Sequence, residues 1–151
     1  MPLGGFRDVW QNEQVWPRLG CAVAPAEAVN GTEAYLLCDC AGHALWLREK
    51  KLFVAIPGPN NAWQMIPDTS GLPDDTPLMV APVPRPSPCF AATGRYAWLC
   101  RTLLPDAEQG PRSSGAEAPF EGAIQQFEGG WLLWNGNVCF VLFNNGSWLI
   151  F

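Results

Sequence analysis

The chain has 151 residues, of which 48% are hydrophobic and 15% are charged, and its formal net charge at pH 7 is −5. This composition argues against disorder, which requires low hydrophobicity and high net charge, and the acidic balance argues against binding to a nucleic-acid backbone. The length suits one ordinary domain, or two small repeats that share a core. The 8 Trp, 15 Gly and 15 Pro favour short strands and turns over helices.

The sequence contains neither the pattern of a membrane span nor that of a signal peptide. No apolar run approaches the roughly 18 to 20 residues of a membrane span, and the longest run near the C-terminus, Val138 to Phe143, fits a buried strand. The segment Met1 to Asp8 has no basic region followed by an apolar one, so we do not expect it to be a signal peptide. We expect no membrane span, and either a cytosolic protein or one whose export signal was removed.

The first third of the chain predicts a short helix followed by strands. Apolar residues spaced by three and four between Gly5 and Cys21 predict an amphipathic helix that ends at Gly20 and breaks or restarts at Pro17. A turn is expected at Ala26 to Thr32. Strands are expected at 34–38, 42–47 and 52–56, with the charged residues 48–51 as a hairpin tip.

Two proline-containing stretches separate the strand-like parts of the chain. Residues 57–88 hold nine prolines, so this stretch is expected to be irregular and to act as a stiff connector. A second break is expected from Pro105 to Pro119. Cys100 and Cys139 lie in apolar runs that resemble strands.

The last part of the chain repeats an earlier pattern. Gly130 to Trp134 matches Gly42 to Trp46, and Phe140 to Phe143 matches Phe53 to Ile56. Each copy then has a turn and a tryptophan, Trp63 or Trp148. We therefore expect Trp46 and Trp134 to occupy equivalent places in two hairpins, and Phe53 and Phe140 likewise.

These patterns predict a mainly β fold in a single domain covering residues 1–151. It consists of two small antiparallel hairpin or sheet repeats packed together, with a short N-terminal helix. Repeat one covers about 5–63, a proline-rich connector about 64–95, and repeat two about 96–151. Packing two such hairpins against each other buries apolar faces that one hairpin alone leaves in water.

Three segments resemble a known bacterial repeat. Trp10 to Cys21, which reads WQNEQVWPRLGC, is similar to the opening W-x-x-N-x-x-V-x-x-x-LG-[CW]-[AP]. Gln125 to Trp134 and Cys139 to Trp148 are similar to its continuation, Q-x-F-E-x-G-x-M-x-W and IYVL-x-x-DG-x-W. This repeat occurs in exported proteins of Chloroflexota and other bacteria, and it is distantly similar to LGFP repeats. The resemblance implies an exported, β-rich module; Cys38-Asp39-Cys40 departs from it in the first copy.

The most suggestive chemical cluster is Cys38, Cys40 and His43, with Cys21 as a further member. On a strand, Cys38 and Cys40 point to one face. A disulfide involving Cys21, a zinc site and ordinary thiols are three open interpretations. A catalytic pair formed by a cysteine and His43 would also need a third, orienting group. We predict no cofactor and no enzyme activity.

The tryptophans allow two interpretations, a core with a subunit interface or a groove that stacks on sugars. Trp131 and Trp134 are three residues apart, so on a strand they face opposite sides, and one of them is expected to lie at a surface or interface. The apolar terminal residues need a partner. The predicted binding or interface residues are Trp63, Trp131, Trp148, Leu149, Ile150 and Phe151.

Together these observations favour a non-enzymatic structural or interaction module of a bacterial surface or secreted assembly. Its expected partners are further copies of itself or other surface proteins. A carbohydrate or cell-wall binding module is the alternative, and a cysteine- or metal-dependent protein is a third. The expected location is extracellular or on the cell surface, with the cytoplasm as the other possibility.

Overall fold

The computed structural model describes residues 5–37, 42–57, 62–73, 80–82, 90–92, 94–103, 112–113 and 118–151. It confirms a mainly β fold with antiparallel strands and short helices. The elements in chain order are α1 (Gly5–Trp10), α2 (Trp16–Leu19), β1 (Glu27–Leu37), β2 (Gly42–Leu47), β3 (Leu52–Pro57), β4 (Gln64–Pro67), β5 (Val80–Pro82), β6 (Phe90–Ala92), α3 (Arg95–Leu103), β7 (Arg112–Ser113), β8 (Ala118–Phe127), β9 (Gly130–Trp134), β10 (Cys139–Phe143) and β11 (Trp148–Ile150).

The chain divides into two compact units. Unit 1 comprises Met1–Asn30, Asn61–Trp63 and Phe120–Phe151, and unit 2 comprises Gly31–Asn60 and Gln64–Pro119. The N-terminal segment therefore groups with the last strands, whereas the predicted boundaries near 63 and 95 placed it with the first hairpin. The predicted single-domain organisation stays a prediction.

Unit 2 contains an antiparallel meander in the order β1, β2, β3, β4. Helix α3 covers one face of it, and the resulting apolar cluster combines buried residues of the sheet with buried residues of the helix. The cluster consists of Ala34, Ala44, Trp46, Phe53, Tyr96, Leu99 and Cys100. The three-stranded group of β5, β6 and β7 also belongs to this unit, and β7 pairs with β1.

Unit 1 contains the second meander, in the order β8, β9, β10, β11. Helices α1 and α2 cover one face of it. The buried cluster on that side consists of Phe6, Val15, Leu19, Phe127, Leu132, Cys139, Val141 and Phe143. All five side chains of β10 are buried, so the opposite face of this strand is covered as well.

The two hairpins place Trp46 and Trp134 equivalently, as expected. Each is the fifth residue of a strand that begins with glycine, and each side chain belongs to or packs against the apolar cluster of its own unit. The equivalence of Phe53 and Phe140 is wrong. Trp46 pairs with Phe53, but Trp134 pairs with Cys139, because the first hairpin is one residue longer on each strand.

Three other local expectations are also wrong. Residues 27–32 are part of β1 and not a turn, because Gly31 pairs with Leu47 of β2. Cys100 lies in α3 and not in a strand. The stretch 57–88 contains β4 and β5 and begins with the last residue of β3, so it is not wholly irregular.

The N-terminal helical segment differs in one detail from its expectation. The interruption between α1 and α2 covers residues 11–15, and Pro17 lies in the first turn of α2. A proline is tolerated there because the first amides of a helix have no intrahelical acceptor. Gly20 follows the helix with φ of 70°, as expected for a residue just past a helix end.

Candidate interaction surface on unit 1

In the described part of the chain, the exposed large hydrophobic side chains lie in unit 1. Among the described residues, the large hydrophobic side chains that are exposed are Trp16 (52%), Val23 (54%), Ile150 (42%) and Phe151 (42%). All four belong to unit 1. Ile150 and Phe151 are consecutive, so their side chains project to opposite faces of the edge strand, and we call these two residues together the β11 surface.

The backbone of β11 is fixed on one side by β10. Phe140 lies opposite Ile150 and Val141 lies opposite Leu149. Cys139 and Phe151 exchange two backbone hydrogen bonds of 2.9 Å each. In an antiparallel pair, hydrogen-bonded and non-hydrogen-bonded positions alternate, so the N–H and C=O of Ile150 point away from β10.

Strand β11 is also the edge strand of its meander, because among the described strands it pairs with β10 alone. Leu149 is half-buried and packs against the apolar cluster of unit 1. Its neighbours Ile150 and Phe151 remain exposed. Strand β11 is therefore anchored by Leu149 and by its backbone pairing, while the β11 surface faces water.

The turn that leads into β11 is held by several polar contacts. Asn145 Oδ1 accepts hydrogen bonds from the backbone amide of Ser147, at 3.0 Å, and from its hydroxyl, at 2.6 Å. Arg18 donates to the Ser147 hydroxyl at 2.6 Å, and its guanidinium lies 3.5 Å from the centroid of the Phe143 ring. These contacts fix the start of β11 relative to α2.

Two of the predicted tryptophans lie on one face of the unit 1 sheet. Leu142 pairs with Trp131 on one side and with Trp148 on the other, and directly opposite residues project to the same face. Both tryptophans are half-buried, whereas Leu142 is fully buried. Their backbones are about 10 Å apart, because two strand spacings separate them.

Trp63, the third predicted interface tryptophan, is hydrogen-bonded to the turn that leads into β11. Its indole N–H donates to the carbonyl of Phe143 at 2.7 Å, and its backbone amide donates to Gly146 at 3.1 Å. The side chain is half-buried. The structure thus places Trp63, Trp131 and Trp148 in one unit.

The predicted cysteine and histidine cluster is only partly described. Cys21 is exposed with a free thiol, so the predicted disulfide through Cys21 is not formed. Cys38 and Cys40 lie outside the described residues. His43 is on β2, where its Nδ1 is 2.9 Å from Glu33 Oε1 of the neighbouring strand. The described part of the chain holds no group of three potential metal ligands.

A buried polar cluster in unit 2 was missed by the sequence analysis. The side chains of Asp68 and Arg95 are 5% and 3% exposed, and Arg95 Nε lies 2.9 Å from Asp68 Oδ2. The indole of Trp46 donates to the same carboxylate oxygen at 3.0 Å, and the Arg95 guanidinium lies 3.8 Å from the centroid of the Trp46 ring. No sequence signal connects these residues, because Asp68 and Arg95 are 27 positions apart.

This cluster attaches the segment after β4 to α3. Arg95 also donates to the carbonyl of Pro73 at 2.6 Å, and Asp68 accepts hydrogen bonds from the amide and hydroxyl of Ser70. Burial disfavours the charged carboxylate, but the hydrogen bonds from Ser70 and the hydrogen bond and charge of Arg95 outweigh burial, so the pKa of Asp68 is lowered from its ordinary 3.8. The cluster is thus an ion pair with a structural role.

The buried thiol of unit 1 has the opposite electrostatic environment. Burial raises the pKa of Cys139 to about 12, against an opposing hydrogen bond from the backbone of Leu133. A thiol is nucleophilic only as the thiolate. Cys139 is therefore an apolar core residue at physiological pH.

Comparison with family models, characterised proteins and solved structures gave no match. Within the described residues, no helix combines the length and the apolar character that crossing a membrane requires.

Proposed function

We propose that the protein is a non-enzymatic interaction module of a bacterial surface or secreted assembly, and that it self-associates through the β11 surface. The observation that carries this proposal is the exposure of Ile150 and Phe151, each 42% exposed, on an edge strand. Apolar area removed from water is worth about 25 cal/mol per Å², and an edge strand offers backbone groups to a further strand. The resemblance to an exported bacterial repeat supports the proposed location.

Light scattering over a range of protein concentrations tests this proposal. The unsubstituted protein is expected to be larger than a monomer, and the double substitution Ile150→Glu with Phe151→Glu is expected to give a monomer. Val23→Glu is the matched control, because Val23, at 54%, is the most exposed large hydrophobic side chain among the described residues. A monomer at every concentration would contradict self-association, and so would a double variant that keeps its mass.

A carbohydrate-binding function is the second candidate, and the row of half-buried Trp131 and Trp148, on either side of the buried Leu142, favours it. Flat indole rings stack on sugar faces, and the exposed Gln126 lies opposite Trp131, where its amide supplies hydrogen bonds. In this function a soluble peptidoglycan or polysaccharide fragment changes the tryptophan fluorescence.

The control for the glycan-binding test is a tryptophan on the other face of the same sheet. Trp131→Phe or Trp148→Phe is expected to reduce the fluorescence change on glycan addition. Trp134→Phe is expected to preserve it, because Trp134 packs against the cluster on the opposite face. Equal loss in all three variants, or no response of the unsubstituted protein, would contradict glycan binding at this row.

A further inference from the structure

Strand β11 presents a backbone that is complementary to itself. The N–H and C=O of Ile150 both point away from β10, because Cys139 and Phe151 form the neighbouring hydrogen-bonded pair. In an antiparallel ladder, a hydrogen-bonded pair consists of two residues that exchange both bonds. A second copy of the chain, rotated about a two-fold axis at Ile150, provides this exchange.

The charge distribution favours a second copy as the occupant of this edge. The chain carries a formal net charge of −5, yet residues 129–151 contain no Asp, Glu, Lys or Arg. Two copies with the same net charge repel where charged groups meet, and like charges directly opposite each other destabilise a strand pair. The side chains of β11 are uncharged, so two copies of this strand bring no like charges directly opposite each other, while Arg18, at the Ser147 hydroxyl, is a charged neighbour of the turn before it.

We infer that two copies of the chain pair antiparallel through β11, with Ile150 directly opposite the same residue of the second copy. This inference rests on the proposed self-association and specifies its partner and register. It is an isologous contact, in which the same patch is used by both copies. Phe151 of each copy then lies opposite Leu149 of the other.

Disulfide trapping tests the register. All variants carry Cys21→Ser, which removes the one exposed free thiol among the cysteines that the structure describes. Hydrogen-bonded antiparallel partners have Cα atoms about 5.5 Å apart, within the range that a disulfide spans. With oxidised glutathione as the oxidant, which is reduced to two glutathione thiols, Ile150→Cys is expected to give a covalent dimer linked at position 150 in both copies.

Phe151→Cys is the matched control, because Phe151 has the same 42% exposure as Ile150. In the inferred register, the two residues at position 151 are diagonal neighbours about 7–8 Å apart, at or beyond the limit for a disulfide. Peptide mapping by mass spectrometry identifies the linked positions. A dimer that links at 151 and not at 150 would overturn the register while leaving self-association intact.

Proline substitution tests the backbone contribution. The Ile150 N–H does not point toward β10, so Ile150→Pro removes only the outward donor, and an edge strand tolerates proline at such a position. We expect a monomer by light scattering with an unchanged circular dichroism spectrum, whereas Ile150→Thr keeps the dimer. A dimeric Ile150→Pro variant would overturn the inference, and a monomeric unsubstituted protein would overturn both the inference and the proposed function.

Discussion

Strands β4 and β11 are the last strands of two similar meanders, but their edges differ. Phe53 pairs with Trp46 and with Ile66 of β4, and Cys139 occupies the corresponding place between Trp134 and Phe151. Ile66 packs against the α3 cluster and is half-buried, whereas Phe151 is 42% exposed. The covering helix, and not the strand pattern, determines whether this position faces water.

The residue after Ile66 completes the difference. Pro67 follows it, and the amide of Asp68 donates to the carbonyl of Lys51 at 2.9 Å. Because hydrogen-bonded positions alternate along a strand, Pro67 occupies a position whose N–H would point away from β3. Proline has no such donor, which protects an edge from further pairing. Strand β11 has no proline and no charged residue, so neither of these features protects its edge, and among the described strands it pairs with β10 alone.

The largest expected effect comes from the buried ion pair of unit 2. Asp68→Asn removes the charge that compensates Arg95, and breaking a buried pair in this way costs about 3–5 kcal/mol. The free energy of unfolding, measured by urea denaturation, is expected to fall by this amount. Glu13→Gln, at an exposed carboxylate, is the control and is expected to change stability by less than about 0.5 kcal/mol. If Asp68→Asn and Glu13→Gln lower the free energy of unfolding equally, the Asp68–Arg95 ion pair does not stabilise unit 2.

The second effect concerns backbone packing in unit 1. Gly130 has φ of 153°, and a Cβ there would overlap the carbonyl oxygen of Leu142 on β10. Gly130→Ala is therefore expected to cost about 3 kcal/mol from overpacking and strain. Gly71 of unit 2, with φ of 74° and open space around it, is the matched control, and Gly71→Ala is expected to cost about 1 kcal/mol. Urea denaturation of both variants measures the difference, and equal losses would contradict close packing between β9 and β10.

The pH dependence of the unfolding free energy tests whether the ionised carboxylate of Asp68 stabilises the folded protein. Its pKa in the folded state lies below the ordinary value of 3.8, so the unfolded state binds a proton more readily. The resulting stability is complete above about pH 4 and is lost as the pH falls through the lowered pKa. Below about pH 4, the unsubstituted protein is expected to lose more stability than Asp68→Asn. Parallel pH profiles of unfolding free energy would contradict this assignment.

The sequence predicted the hairpins well because they depend on local patterns. Apolar runs separated by short polar tips are strong signals, and β2, β3, β9 and β10 form where those runs lie. The sequence also predicted an apolar terminal strand at an interface, and the strand forms as β11, while the interface role of Ile150 and Phe151 stays a prediction.

Long-range packing explains what the sequence did not predict. Tyr96, Leu99 and Cys100 have the spacing of one helix face, but the run around them also resembles a strand, and contact with Trp46 and Phe53 supports the helix. Asn30-Gly31 is a typical turn pair, yet it lies within β1 because that strand pairs with β2. The Asp68–Arg95 pair requires the folded positions of β4 and α3.

The smallest expected effect concerns the closed edge of unit 2. In the Ile150→Pro background, where the β11 edge is blocked, Pro67→Thr restores an outward N–H on β4. One hydrogen bond contributes only about 0.5–1.5 kcal/mol net, so we expect a mass above the monomer only at the highest concentrations in light scattering. Pro25→Thr, at an exposed proline outside the strands, is the control and is expected to remain monomeric. If the Pro67 and Pro25 variants behave alike, the missing N–H of Pro67 does not close this edge, and the burial of Ile66 under α3 remains the physical difference between β4 and β11.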